Sequence, residues 1–269
     1  MNDSETRFGG VLRLYGQEAL RRLREAHVGV VGIGGVGSWV AEALARSGVG
    51  ALTLIDLDEV CVSNVNRQIH ALEGTVGQPK VEVMAERIRG INPDCRVTAR
   101  IQFFSESTAA DLLGHGYTGL VDAIDSVTNK TLLLAGCRDK EIPVVACGAA
   151  GGRRDGTQVR VADLAQVTHD RLLAEVRRRL RRQHHFPDGD LPMGVDCVFS
   201  SEPVMFPQRD GTVCETRSET EEGTRLNCNN GLGSATFVTG TFGFVAAGLV
   251  VQRIADGVWG KVRVSPSKS

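Results

Sequence analysis

No two of the seven cysteines (Cys61, Cys95, Cys137, Cys147, Cys197, Cys214 and Cys228) are spaced C-x-x-C. That excludes the commonest tetrahedral zinc site. The odd count excludes a complete disulfide framework, so a reducing, cytoplasmic setting is expected. The formal net charge is only −1, so any contact with nucleic acid must come from a local patch. Met1 to Thr6 is polar and acidic, which predicts no export signal. There is no internal repeat and no long linker. One stretch, Leu226 to Gln252, lacks charge altogether. By length it could cross a bilayer, yet it is rich in Gly, Ser, Thr and Asn and poor in Leu and Ile. A helix apolar on all sides also arises between a sheet and a dimer interface. A buried core helix is the favoured reading, with membrane contact as the alternative.

What is present is a soluble globular composition, 269 residues with 23% charged and 42% hydrophobic. Its centre is Val28-Gly29-Val30-Val31-Gly32-Ile33-Gly34-Gly35-Val36-Gly37-Ser38. An apolar, β-branched run of strand length meets Gly-x-Gly-x-x-Gly, and Trp39 to Ser47 then reads as helix. Such a turn lets a phosphate approach the backbone and meet the free N–H groups of a helix start. Gly32, Gly34, Gly35, Gly37 and Ser38 are therefore candidate nucleotide contacts. Asp56 closes a second apolar run about 20 residues on, where a carboxylate accepts from a ribose hydroxyl.

Which nucleotide binds is decided by charge. Asn66, Arg67, Gln68 and Lys80 follow the second strand closely. Two cations soon after the ribose acid suit a triphosphate and a pyrophosphate leaving group, which points to ATP and away from a nicotinamide. Lys80 falls in the first turn of a helix from Lys80 to Arg89, where the helix dipole disfavours it, so it answers a specific anion. Asp58 reads as a second ribose or metal-side acid, or equally as a cap.

These residues, with Val76-Gly77-Gln78-Pro79-Lys80 and Ala123-Ile124-Asp125, resemble the adenylating fold of ubiquitin-activating enzymes and of their bacterial relatives in molybdopterin and thiamine synthesis. Within that superfamily the chain is most similar to tRNA threonylcarbamoyladenosine dehydratases. Arg7-Phe8-Gly9-Gly10, Arg13-Leu14-Tyr15-Gly16, Arg67 to Leu72 and Gly194 to Ser200 carry that likeness, as does the missing zinc site. The resemblance implies a Rossmann-like α/β fold. Its sheet would be mainly parallel, with helices on both faces and a C-terminal crossover with antiparallel strands. The chain would be one domain over 1–269, with the crossover at about 163–228. It also implies a homodimer in which Arg13 reaches the partner subunit's nucleotide as an arginine finger, and an acyl substrate near Gly148 to Gly152.

Farther along, Leu120 to Ile124 reads as a strand that ends at Asp125, in the ligand crevice of such a sheet. Asp125 is the candidate Mg2+ ligand, or an N-cap for the helix from Val127 to Lys140. Asp122 points the other way and has no assigned role. Asp163 to His185 carries Arg171, Arg177, Arg178, Arg179, Arg181 and Arg182, a natural patch for RNA phosphates or a solvated helix face. Cys197, among Val195, Val198 and Phe199, reads as a buried strand thiol and not as an acyl carrier.

The reaction implied is ATP-dependent adenylation of the threonine carboxylate of threonylcarbamoyladenosine beside the tRNA anticodon. Ring closure within the modification then follows, with net loss of water. Intramolecular attack has high effective molarity, so no cysteine relay is needed; a sulfur-relay partner belongs to the family picture. The alternatives are an activator of a sulfur-carrier or ubiquitin-like protein, and a dinucleotide oxidoreductase or sensor.

Overall fold

The computed structural model describes residues 6–208, 210–216 and 232–259. Helices α1 (Gly9–Tyr15) and α2 (Gln17–Glu25) precede strand β1 (His27–Val31). There follow α3 (Gly37–Arg46), β2 (Ala51–Ile55), α4 (Lys80–Ile91), β3 (Arg96–Arg100), α5 (Glu106–Leu112), β4 (Gly119–Asp122), α6 (Val127–Asp139) and β5 (Val144–Cys147). The second half holds β6 (Val159–Asp163), α7 (Arg171–His184), β7 (Asp196–Ser200), the short strands β8 (Phe206–Pro207) and β9 (Val213–Cys214), and α8 (Thr236–Ala255).

Seven strands form one sheet in the order β3-β2-β1-β4-β5-β7-β6. All neighbours are parallel except β6, which pairs antiparallel with β7, and β8 and β9 form a separate antiparallel pair. The expected architecture is therefore present, antiparallel strands included. The inner strands β1, β2, β4 and β5 are buried almost throughout, as a sheet covered on both faces requires. Because the chain leaves β1 on one side for β2 and returns on the other as β4, the carboxyl ends of β1 and β4 part into a crevice.

The uncharged stretch resolves into α8, and its buried side holds Val238, Phe242, Ala246, Val250 and Ile254. A Cβ on Gly243 would lie 2.6 Å from Trp39 Cβ, so α8 packs directly on α3 there. Length and hydropathy alone would let α8 span a bilayer, but more than half of it is buried, as in a core helix. Phe237 and Phe244 are exposed on its outer side. Trp259 is also buried, with its ring against Gly119. Arg209, Leu226 to Gly231 and Cys228, and the basic residues Lys261, Arg263 and Lys268, lie outside the described residues.

Candidate active site

The glycine turn is built by exclusion. Gly32 has φ +90°, and a Cβ on it would sit 2.8 Å from the Ala123 carbonyl oxygen beyond β4. A Cβ on Gly37 would fall 1.8 Å from the Gly32 carbonyl. The turn is thus pressed against both its own helix and the β4 wall, and any side chain would force it open. Gly34 faces open space, and the N–H groups of Gly34 and Gly35 have no acceptor among the described residues. Those donors, at the start of α3, suit a phosphate. The Ser38 N–H is already given to the Gly34 carbonyl at 3.2 Å, and its buried hydroxyl has no partner among the described residues.

Asp56 follows the last residue of β2 and ties the turn to it. One carboxylate oxygen accepts from Ile33 N at 2.6 Å and the other from Asp58 N at 2.8 Å. Each oxygen keeps a lone pair for a ribose hydroxyl. Burial pushes the Asp56 carboxyl up, opposed by the Lys80 charge and by both N–H donors.

Lys80 is the first residue of α4 and is buried, and its Nζ meets Asp58 Oδ2 at 2.7 Å. The anion it answers in this structure is Asp58, which stands 61% exposed at the crevice mouth. Asp58 thus acts as the lysine's counter-ion, while its carbonyl takes the Lys80 N–H at 3.0 Å. The Arg67 stem lies over Gly35, and its Nη1 donates to Ser63 O at 2.6 Å and to Asn66 Oδ1 at 3.0 Å. The Arg67 carbonyl accepts from Trp39 Nε1 on α3 and from Thr239 Oγ1 on α8. Gln68 is buried, and its Oε1 lacks a partner among the described residues.

Two consecutive carbonyls join the nucleotide side to the turn after β5. Ser234 O accepts from Asn66 Nδ2 at 2.9 Å, and Gly233 O accepts from Gly152 N at 2.7 Å. In the same turn, Ala149 N donates to Asp170 Oδ2 at 2.8 Å, and a Cβ on Gly148 would lie 2.2 Å from that oxygen. The Asp170 carboxylate therefore packs directly on the Gly148 backbone.

Strand β4 ends at Asp122, which leaves Asp125 exposed in the turn before α6. The cap of α6 is Ser126, whose hydroxyl accepts from Asn129 N, so Asp125 is not that N-cap. Its carboxylate has no hydrogen-bond or ion-pair partner among the described residues, and no cluster of three or more metal-ligating side chains surrounds it there. A single free carboxylate beside a triphosphate site suits Mg2+, which keeps several waters and takes phosphate oxygens as ligands.

Sequence reasoning left Asp122 without a role and did not single out Lys130. The two form an ion pair of 2.9 Å, with no exposed surface on either side chain. The only local signal was an acid and a lysine flanking the Asp125 turn.

Cys197 is fully buried on β7 and its thiol is pushed well above the usual range by burial, as expected of a structural cysteine. Helix α7 departs from a free basic patch. Arg177 donates to the carbonyls of Leu164 and Val167, Arg178 and Arg179 hold Glu175, and Arg181 reaches the carbonyls of Pro187 and Gly189. Arg171 packs over the Phe206 ring. Arg182 is exposed without such a partner among the described residues. Arg13 is exposed on α1, next to the exposed Leu14 and Tyr15.

Relatives match nearly all of the chain. It is 52% identical over 249 residues to the tRNA threonylcarbamoyladenosine dehydratase of Escherichia coli (strain K12), covering 92% of this chain and 93% of that one. A crystal structure of an E. coli tRNA N6-threonylcarbamoyladenosine dehydratase in complex with ATP superposes with a TM-score of 0.84 at 47% identity. That match covers 96% of this chain and 97% of the other. The molybdopterin-synthase adenylyltransferase of Salmonella typhimurium (strain LT2) is 38% identical over 140 residues, 52% of this chain and 55% of its own. A model of the ThiF family matches residues 10–262, and the chain belongs to that family, within its tRNA threonylcarbamoyladenosine dehydratase group.

Proposed function

We propose that this chain is an ATP-dependent tRNA threonylcarbamoyladenosine dehydratase. The observation that carries the reading is the nucleotide crevice itself, present in a chain with a dehydratase relative along 92% of its length. Asp56 bonds the glycine turn, the Arg67 stem lies over Gly35 and the Lys80 charge bears on Asp56, while Asp125 follows the end of β4 on the other side of the β1/β4 switch point. The threonine carboxylate attacks the α-phosphorus of ATP and pyrophosphate leaves. A neighbouring group of the same modification then displaces AMP, with net loss of one water. The carboxylate is already ionised at neutral pH, so activation needs no general base.

The roles follow from position. The Gly34 and Gly35 N–H groups take phosphate oxygens, and Asp56 takes the ribose. Arg67 and Lys80 neutralise the leaving pyrophosphate, with Lys80 exchanging Asp58 for phosphate. Mg2+ is held by Asp125; when bound, it supplies positive charge along the polyphosphate. Arg13 acts on the nucleotide of a second subunit. This homodimer is supported by exposed Leu14 and Tyr15 beside Arg13 and by exposed Val62 and Val65 beside Arg67. The tRNA backbone is met by the uncommitted end of α7 at Arg182, and the enzyme works in the cytoplasm, where its substrate is. A sulfur-relay partner remains compatible with this scheme but has no role in it.

The test is ATP–pyrophosphate exchange with and without tRNA carrying threonylcarbamoyladenosine, followed by nucleoside mass spectrometry. The expected product is lighter by one water and forms with one AMP. Exchange driven instead by a sulfur-carrier protein's C-terminus, and not by tRNA, would favour the activator reading.

A further inference from the structure

The Asp122–Lys130 pair, beside the Asp125 turn, is not used by the scheme above. Lys130 Nζ lies 2.9 Å from Asp122 Oδ2 and donates to the Asp122 carbonyl at 3.3 Å. Asp122 Oδ1 accepts from Ile124 N at 3.0 Å. One side chain thus holds the strand end, its own turn and the first turns of α6 together. Neither residue has any exposed surface.

A buried ion pair is a poor device for stability alone, because desolvation consumes much of the attraction and an apolar pair of similar size often does as well. What this pair does that an apolar one could not is fix the start of the turn by directed bonds, from Lys130 Nζ to the Asp122 carbonyl and from Ile124 N to Asp122 Oδ1. That backbone is also the wall facing the glycine turn. Ala123 N donates to Val31 O at 2.9 Å, and the Ala123 carbonyl is the group that Gly32 must clear. Asp125 projects from the middle of the clamped turn, exposed and unpaired among the described residues.

We propose that Asp122 and Lys130 are positioning residues that hold the turn so that the Asp125 carboxylate meets the metal-bound triphosphate. The proposal rests on the reading of Asp125 as the metal-side carboxylate. The pair never touches substrate. It acts through the backbone of the turn without bonding Asp125, and loss of the outer support of a metal ligand commonly weakens metal binding by about 10–100-fold.

The test compares full-length wild type, Asp125→Asn, and the double variant Asp122→Leu/Lys130→Met, which fills the same space without charge. Binding of Mn2+ in the presence of a non-hydrolysable ATP analogue is followed by electron paramagnetic resonance, and metal-free AMP binding by calorimetry. The double variant should bind Mn2+ at least roughly tenfold more weakly, with AMP affinity within about twofold of wild type. Should it fail to fold, Lys130→Met combined with Asp122→Asn, which retains an acceptor for Ile124 N, replaces it. Native Mn2+ affinity in the double variant, while Asp125→Asn loses the metal, overturns the proposal alone. Native Mn2+ affinity in Asp125→Asn overturns the metal-side reading and the proposal with it. Equal losses of Mn2+ and AMP binding would mark the pair as general scaffolding and also overturn it.

Discussion

Two lysine–aspartate pairs flank the glycine turn, with the same chemistry and opposite surroundings. In Lys80–Asp58 the amine is buried and the carboxylate stands in water; in Lys130–Asp122 water reaches neither group. Water reaches Asp58 and screens its side of the first pair, so another anion can take its place. The second pair cannot be halved without stranding a buried charge, at about 3–5 kcal/mol. One pair is exchangeable and belongs to the chemistry. The other is fixed and belongs to the frame.

Substituting each lysine should pull the two apart. Lys80→Ala is expected to lower ATP–pyrophosphate exchange by about 100-fold or more, with a thermal midpoint within about 3 °C of wild type. Lys130→Met, with Asp122 intact, should lower the midpoint by about 10 °C in calorimetry. Equal midpoint losses in the two variants would erase the contrast.

A smaller effect should appear at His70, close to the exchangeable pair. Burial first, and then the Lys80 and Arg87 charges, push this imidazole down to about 4 from 6.5. Both ring nitrogens lack partners among the described residues. The unfolded chain therefore holds the proton more tightly than the folded one. The corresponding stability is intact above pH about 6.5 and is lost as pH falls toward about 4, amounting to roughly 3 kcal/mol. Denaturant titrations of His70→Leu across that range should show a flatter profile than wild type. Parallel profiles would remove His70 as the cause.

The smallest effect is expected on α7, where the comparison between committed and uncommitted charge repeats itself. Arg182→Ala should weaken tRNA binding only a few-fold and lower the salt slope by about one. Arg177→Ala, whose guanidinium already holds three backbone carbonyls, should lower the thermal midpoint instead. A larger loss of tRNA affinity in Arg177→Ala than in Arg182→Ala would reverse this assignment.

These contrasts also mark how far the sequence could be read. The glycine turn, Asp56 and the buried Cys197 strand were legible, because each is written in local periodicity or a fixed spacing. Strand β4 stops at Asp122, short of the expected Ile124, because backbone pairing with a neighbour sets where a strand ends. Helix α1 was not foreseen, since its seven residues bury no side chain fully and so leave no apolar stripe. The arginines of α7 looked free because their acceptors are carbonyls of other segments. The Asp122–Lys130 pair was invisible for a related reason: an acid and a base eight residues apart signal nothing until a turn brings them together.

The brace at residues 233–234 sets a distance. Neighbouring carbonyls of one short segment grip opposite banks of the cleft, one at Asn66 and the other at Gly152. The gap is thereby gauged by a span of two residues. Changing that span requires breaking one of the two bonds, so the distance between the Asn66 loop and the Gly152 turn is held by the backbone of Gly233 and Ser234.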